Sequence, residues 1–440
     1  MSKDLSKHTA KAVKKNALIN RRTALRGLAA TGAAVVGSGG SISGFPMVWA
    51  QEIKDIEMVH VGGSWSAIGQ IAEQASKDLG FKITMKNAWS DAQINTVLTQ
   101  PDSLDIVDME YWTIKRTVPN GALRGVDVSR IKNWDKLVPM FTKGTYWDGS
   151  AVSSQGVAPY QAMYLKDEMS NELAGEPTNW ATNMPIVYNA DTLGTRPDLI
   201  GKIDSWAELL NPKYKGQAAL MAVPAVGIMD AAMAIEASGL ITYGDKGNMT
   251  KDEIDQTIAI LIEAKNTGHF RAFWNTFDES VNMMISGETV IQSMWQPAVQ
   301  VVRARGVEVE YTALKEGYRA WGNGLGFMRH VDGLKLDAAY EYLNWFVSGY
   351  QGAFQARAGY YSSLPETARE QLEAYEWDYW YEGKPATQEI KDPFGNVVAP
   401  KGHVRDGGSF PDRMGNIACW NTLMDENRHL VKKWNEFLSS

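Results

Sequence analysis

Four aromatic residues, Trp65, Tyr111, Trp295 and Trp321, follow directly on strand-like segments. In a sheet built from repeated β-α units, ligands bind beyond the carboxyl ends of the strands. An aromatic face there stacks on a ligand or attracts a cation through the ring quadrupole. Any single ring can equally pack a core, and with 16 Trp in the chain most of them must do so. Four on strand-end loops make a pattern. Glu110 stands beside Tyr111, and a carboxylate is the partner a desolvated amine needs; Asp91 and Asp278 are further acids that could play this part. Arg271, within Phe270-Arg271-Ala272-Phe273-Trp274, has the fork geometry to clamp a ligand carboxylate, or else forms a salt bridge.

Catalytic and metal signatures are missing from the sequence. There is no Gly-rich phosphate loop, no G-x-S-x-G, no H-E-x-x-H and no C-x-x-C. The six His are scattered, with no two at metal-ligand spacing. No catalytic residue, metal or cofactor is therefore expected. The alternative from another class is an enzyme whose catalytic groups are dispersed along the chain. Cys419, the single cysteine, excludes an intrachain disulfide and reads as a small buried hydrophobe in a helical pattern.

The N-terminus speaks to compartment. Residues 1–20 are polar and carry five lysines, Asn20-Arg21-Arg22-Thr23 follows, and a weakly apolar Ala/Gly/Ser run leads to Val48-Trp49-Ala50. A charged region, an apolar stretch and an A-x-A-like end make a signal peptide over residues 1–50. The paired arginines and modest hydrophobicity resemble a twin-arginine address, which implies export to the periplasm. The run has too many Gly and Ser to span a bilayer. Without these residues the chain carries 36 Lys+Arg against 50 Asp+Glu, a net charge of −14. That balance disfavours nucleic acid and anionic membranes as partners. The remaining 390 residues are enough for two or three domains.

Strands and helices alternate along the mature chain, which indicates an α/β class. Strands are expected at Ile56–Val61, Phe81–Met85 and Asp105–Met109, with helices at Trp65–Leu79 and Asp91–Leu98 between them. Further on, strands are expected at Pro185–Tyr188, Ala218–Val223 and Thr289–Trp295, and Ser205 with Glu208 reads as a capping box. The C-terminal part reads as mostly helical, ending in a helix over Asn416–Phe437, with a long ordered loop and a hairpin within Tyr375–Pro411.

Several ordered segments resemble one family, the extracellular solute-binding proteins related to spermidine/putrescine-binding proteins. Ile203-Asp204-Ser205-Trp206-Ala207-Glu208-Leu209-Leu210-Asn211-Pro212-Lys213-Tyr214-Lys215-Gly216 is the most specific of them. Gly62-Gly63-Ser64-Trp65, Leu104-Asp105-Ile106-Val107, Ser286-Gly287-Glu288 running on to Met294-Trp295, Gly359-Tyr360-Tyr361 with Pro365, and Trp434-Asn435-Glu436-Phe437 follow in family order. The resemblance implies a periplasmic binding protein fold: two lobes, a hinge of crossover strands and a helical C-terminal part. It implies lobe one from 51–160 and 313–440, and lobe two from 161–312. It also implies solute capture for an ABC importer, with permease subunits in the inner membrane as partners and a monomeric chain. The resemblance implies ligand-binding positions at Trp65, Tyr111, Trp295, Trp321, Asn323 and Tyr360, to which the residues themselves add Glu110 and Arg271 as candidates.

The acidic half of a polyamine site departs from the family pattern. Asn323 stands where polyamine binders carry Asp, and Ala222-Val223-Pro224-Ala225-Val226-Gly227 carries no acid where they have several. The expected solute is therefore a small organic molecule, amine-containing, zwitterionic or neutral, with a polyamine held by compensating acids as the alternative.

Overall fold

Residues 53–440 are described by a computed structural model; the expected signal segment lies outside them. The chain opens with three parallel strands. β1 (Glu57–Gly62) lies between β2 (Lys82–Asn87) and β3 (Ile106–Glu110). The connecting helices are α1 (Gly69–Leu79) and α2 (Ser90–Thr99). α1 stops at Gly80, whose φ of 78° is open to glycine at no steric cost. It starts four residues later than the pattern suggests, because Ala67 N–H closes a turn on Gly63 O at 2.7 Å. Trp65 is thereby held in the turn that follows β1 rather than on the helix face.

The next long strand, β4 (Met184–Thr195), is buried along all twelve residues. β5 (Ala218–Met221), β6 (Phe270–Trp274) and β7 (Ile291–Met294) form the second half of the sheet, interleaved with α3 (Pro224–Ala237), α4 (Lys251–Asn266) and α5 (Phe277–Ser286), and followed by α6 (Gln296–Ala304). β8 (Tyr318–Met328) returns antiparallel to β4, with Arg319 opposite Asp191 and Trp321 opposite Asn189. Its far end pairs with β3, where Asn323 faces Glu110. The other end of β4 pairs with β7, where Thr192 faces Met294. The strand order is β2-β1-β3-β8-β4-β7-β5-β6. β4 and β8 thus carry the chain between the two lobes, as the expected two-lobe α/β fold requires.

Trp180–Ala181 pairs with Val126–Asp127 ahead of β4. Two local expectations change here. The segment read as a helix from Asn416 divides. β9 (Ile417–Trp420) pairs parallel with the start of β8, and only α7 (Asn427–Ser439) is helical. α7 packs against α3 and α4. Trp434 and Phe437 join the core of Trp206, Leu220, Ile228 and Leu261. Trp434 Nε1 donates to Ala222 O at 2.7 Å, and Lys265 Nζ caps Phe437 O at 2.9 Å. Finally, Ser205 caps a short 3-10 turn, but its reciprocal partner is Glu316 rather than Glu208: Glu316 Oε2 accepts from Trp206 N at 3.0 Å.

The 375–411 segment, expected as a long loop, begins as a helix over Ala374–Trp380. It holds a hairpin, Ile390–Lys391 with Val397–Ala399, and its Tyr379, Trp380 and Tyr381 are buried. Arg405, in the same segment, is buried and donates to Trp380 O, Tyr361 Oη and Gly359 O. No residue of this segment lines the cavity described next.

Candidate functional site

A cavity of about 160 Å³ opens where the carboxyl ends of the strands from both lobes converge. From the first lobe come Ser64 and Trp65 after β1, Trp89, Ser90 and Asp91 after β2, and Glu110 and Trp112 at the end of β3. The second lobe gives Met221, Val223 and Val226 after β5, Asn275 and Phe277 after β6, and Trp295 after β7. The crossing segments supply Asp191, Arg319, Trp321 and Asn421, and Tyr360 completes the lining. This is the position a β-α sheet reserves for a ligand.

The walls are aromatic and continuous across the lobes. Trp321 lies 5.8 Å from Trp65 and 5.6 Å from Tyr360, centroid to centroid. Trp65 meets Trp89 at 5.9 Å, and Trp89 stacks on Trp295 at 5.7 Å with an interplanar angle of 24°. Phe277 continues the row at 6.4 Å from Trp295. Trp65 and Trp321 are buried, whereas Trp89 is 45% exposed and marks the mouth. Trp65 is held from behind. Its Nε1 donates to Asp108 Oδ1 at 2.9 Å, and Gln355 Nε2 donates to its carbonyl.

The floor is polar and acidic. Arg319 is fully engaged: Nε donates to Asp230 Oδ1 at 2.6 Å, Nη1 to Asn421 Oδ1 at 2.7 Å and Nη2 to Asp191 Oδ2 at 3.4 Å. Burial works against its charge, but Asp230 and Asp191 outweigh burial and hold its pKa above the ordinary value. Asp191, which also accepts from Tyr311 Oη at 2.8 Å, is pushed up by burial to about 6 despite the facing guanidinium. Glu110 accepts from Ser90 Oγ at 2.6 Å and from Asn421 Nδ2 at 3.5 Å. Among the described residues it has no cationic partner in direct contact, and burial raises its pKa. One guanidinium thus stands among three acids, Asp191, Asp230 and Glu110. Among the described residues no cluster of His, Cys, Asp and Glu could hold a metal ion.

Residues 70–377, more than half of the chain, match the family described as bacterial extracellular solute-binding protein. The chain belongs to that family. Over 259 residues it is 23% identical to the spermidine/putrescine-binding periplasmic protein of Escherichia coli, an alignment that spans 58% of this chain and 63% of that protein. Its fold is similar to the spermidine/putrescine ABC transporter substrate-binding protein of Streptococcus pneumoniae, with a TM-score of 0.59 at 12% identity, covering 87% of this chain and 98% of that one. It is also similar to a binding protein of A. tumefaciens B6 solved in complex with glucopine, with a TM-score of 0.54 at 12% identity over 87% and 99% of the two chains. At these identities the structural likeness establishes the periplasmic binding protein fold. Among the described residues no helix is long and apolar enough to cross a membrane.

Of the eight ligand-binding candidates expected from the sequence, Trp65, Glu110, Trp295, Trp321 and Tyr360 come together on the cavity, and three do not. Tyr111 begins a 3-10 turn that sends its ring away from the cleft, to 5.6 Å from Phe141; its neighbour Trp112 faces the cavity instead. Asn323 is buried behind the wall and donates to Asp108 Oδ1 at 2.6 Å. Arg271 is half-exposed and pairs with Glu288 at 2.7 Å on the surface. Of the further acids, Asp91 reaches the rim and Asp278 does not.

Sequence reasoning missed Trp89, Trp112, Asp191, Arg319 and Asn421. Trp89 follows β2 as Trp65 follows β1, so the strand-end rule that selected Trp65 also finds Trp89 once β2 is extended to Asn87. Asp191 and Arg319 lie inside fully buried strands, where nothing local distinguishes a paired charge from any other strand position.

Proposed function

We propose that this chain is the solute-capture subunit of an ABC importer, and that it takes a small organic cation with a single ammonium-type head. The observation that carries the reading is Glu110, a half-buried carboxylate on the lining of an indole-walled cavity, with no cationic side chain in direct contact among the described residues. A cation placed there meets aromatic faces on several sides, each contributing roughly 0.5–2 kcal/mol. A unit charge pair about 4 Å apart at an effective dielectric of about 20 contributes about 4 kcal/mol, so Glu110 outweighs any one ring. A ligand carboxylate gains little, since Arg319 is already engaged by Asp230 and Asp191.

The polar floor is one connected group, Glu110–Asn421–Arg319–Asp191, rather than two separated acidic ends. That favours one charged head over the two or three of a polyamine, although the Escherichia coli relative is a spermidine/putrescine-binding protein. The two lobes supply opposite walls, so ligand and closure are coupled by differential contacts in the closed state. The reading puts the chain in the periplasm, exported through the twin-arginine-like segment, as a monomer that docks on permease subunits of the inner membrane. It assigns no bond-making step: the cavity holds its solute and does not convert it.

A thermal-shift panel of choline, tetramethylammonium, putrescine, spermidine, amino acids and small carboxylates tests the reading, because a ligand that binds only the folded state raises stability by mass action. Single-headed cations are expected to give the largest rise. A response confined to carboxylates or neutral solutes contradicts it.

A further inference from the structure

We infer that Trp89 and Trp295 form a length filter, admitting only cations whose tail ends inside the cavity. The inference rests on the cation reading above and deepens it. Both residues hold the same local position in opposite lobes: each is the N-cap of the helix that follows a strand, Trp89 before α2 and Trp295 before α6. Their rings meet nearly parallel across the cleft, 5.7 Å apart at 24°. Neither is free to turn aside. Trp89 rests edge-on against Trp65 at 5.9 Å. Trp295 is braced by Trp274 at 4.9 Å and 87°, and by Phe277.

Exposure gives the direction. Asp191 and Arg319 lie at the closed end, each 2% exposed, Trp89 is 45% exposed at the other, and Glu110 is intermediate. A head group set between Glu110 and the deeper Asp191 therefore points its tail at the Trp89–Trp295 stack. A short tail ends beneath the rings. A long tail has to part them, which breaks the indole stack and holds the lobes apart. Selectivity then comes as much from this penalty on the wrong ligand as from the attraction of the floor for the right one.

An alkyltrimethylammonium series, from methyl to octyl, titrated calorimetrically into the wild-type chain and the Trp89→Ala and Trp89→Phe variants, tests the filter. Trp89 is half-exposed, so its truncation should leave the ligand-free melting temperature nearly unchanged. The wild type is expected to bind short members and to lose about tenfold or more in affinity once the tail reaches the rings. Trp89→Ala should flatten this dependence, binding the long members more tightly than the wild type does, while tetramethylammonium weakens only a few-fold. Trp89→Phe, which keeps a ring in place, should restore the discrimination. The same dependence on tail length in wild type and Trp89→Ala overturns the filter and leaves the cation reading standing. Failure of the wild type to bind any member overturns both.

Discussion

Asn323 donates its side-chain amide to Asp108 across 2.6 Å, on the same carboxylate oxygen that accepts the Trp65 indole N–H at 2.9 Å. Gly63 N–H reaches the other oxygen at 3.3 Å. One fully buried acid therefore joins β8, β3 and the turn after β1, and it fixes the cavity wall from behind. Burial holds Asp108 well above the ordinary carboxylate range, against the pull of the Trp65 and Gly63 hydrogen bonds.

Asp108→Ala leaves two buried side-chain donors without an acceptor, each costing about 1–3 kcal/mol. The variant is expected to lose about 2–4 kcal/mol of stability in denaturant unfolding. Because Trp65 is no longer anchored, ligand affinity should fall as well. Asn323→Ala removes one donor and leaves Trp65 bonded, so its loss should be smaller. A neutral Asp108→Ala would show that the wall is held by packing alone.

The C-terminal helix makes the second prediction. Trp434 is fully buried in the core it shares with α3 and α4 although it is the seventh residue from the C-terminus. Trp434→Ala is expected to cost about 3–5 kcal/mol, measured by urea unfolding. An unchanged midpoint would mean that α7 is dispensable to that core.

The third prediction concerns pH. The folded-state pKa of Asp191 is raised from 3.8 to about 6. Between those values the folded chain keeps a proton that the unfolded chain has released, so this group's contribution to stability falls as pH rises, then levels above about pH 6. Glu110 is raised in the same direction, by burial. A bound cation favours the ionised carboxylates. The ligand-induced rise in melting temperature should therefore be larger at pH 7.5 than at about pH 5. An equal or smaller rise at pH 7.5 would speak against a cation at this floor.

Local pattern makes the first lobe's strands, α1 and the strand-end position of Trp65 legible in the sequence. What it leaves hidden has a common cause. β4 and β8 are buried on both faces, so they lack the alternation that marks a half-exposed strand, and only Pro185–Tyr188 of β4 stands out. Asp191 and Arg319 of the charged floor lie on those two strands and are hidden with them. Asn323 occupies a position next to the ligand-contacting residues in sequence, yet its register opposite Glu110 turns it to Asp108. Tyr111 and Trp112 are adjacent, and the 3-10 turn decides which of them faces the cleft. Ile417–Trp420 reads as apolar helix in isolation, but β8 offers it an unpaired edge and it becomes a strand.

Calorimetric titration of tetramethylammonium into the wild-type chain and its Glu110→Gln variant at pH 7.5 tests the central claim most directly. Glutamine keeps the shape of the side chain and its capacity to accept from Ser90, and removes only the charge. The account predicts micromolar-range binding by the wild type, on the order of −8 kcal/mol, and a loss of about tenfold or more in the variant. Equal affinity in the two proteins, or no binding by the wild type, would contradict it.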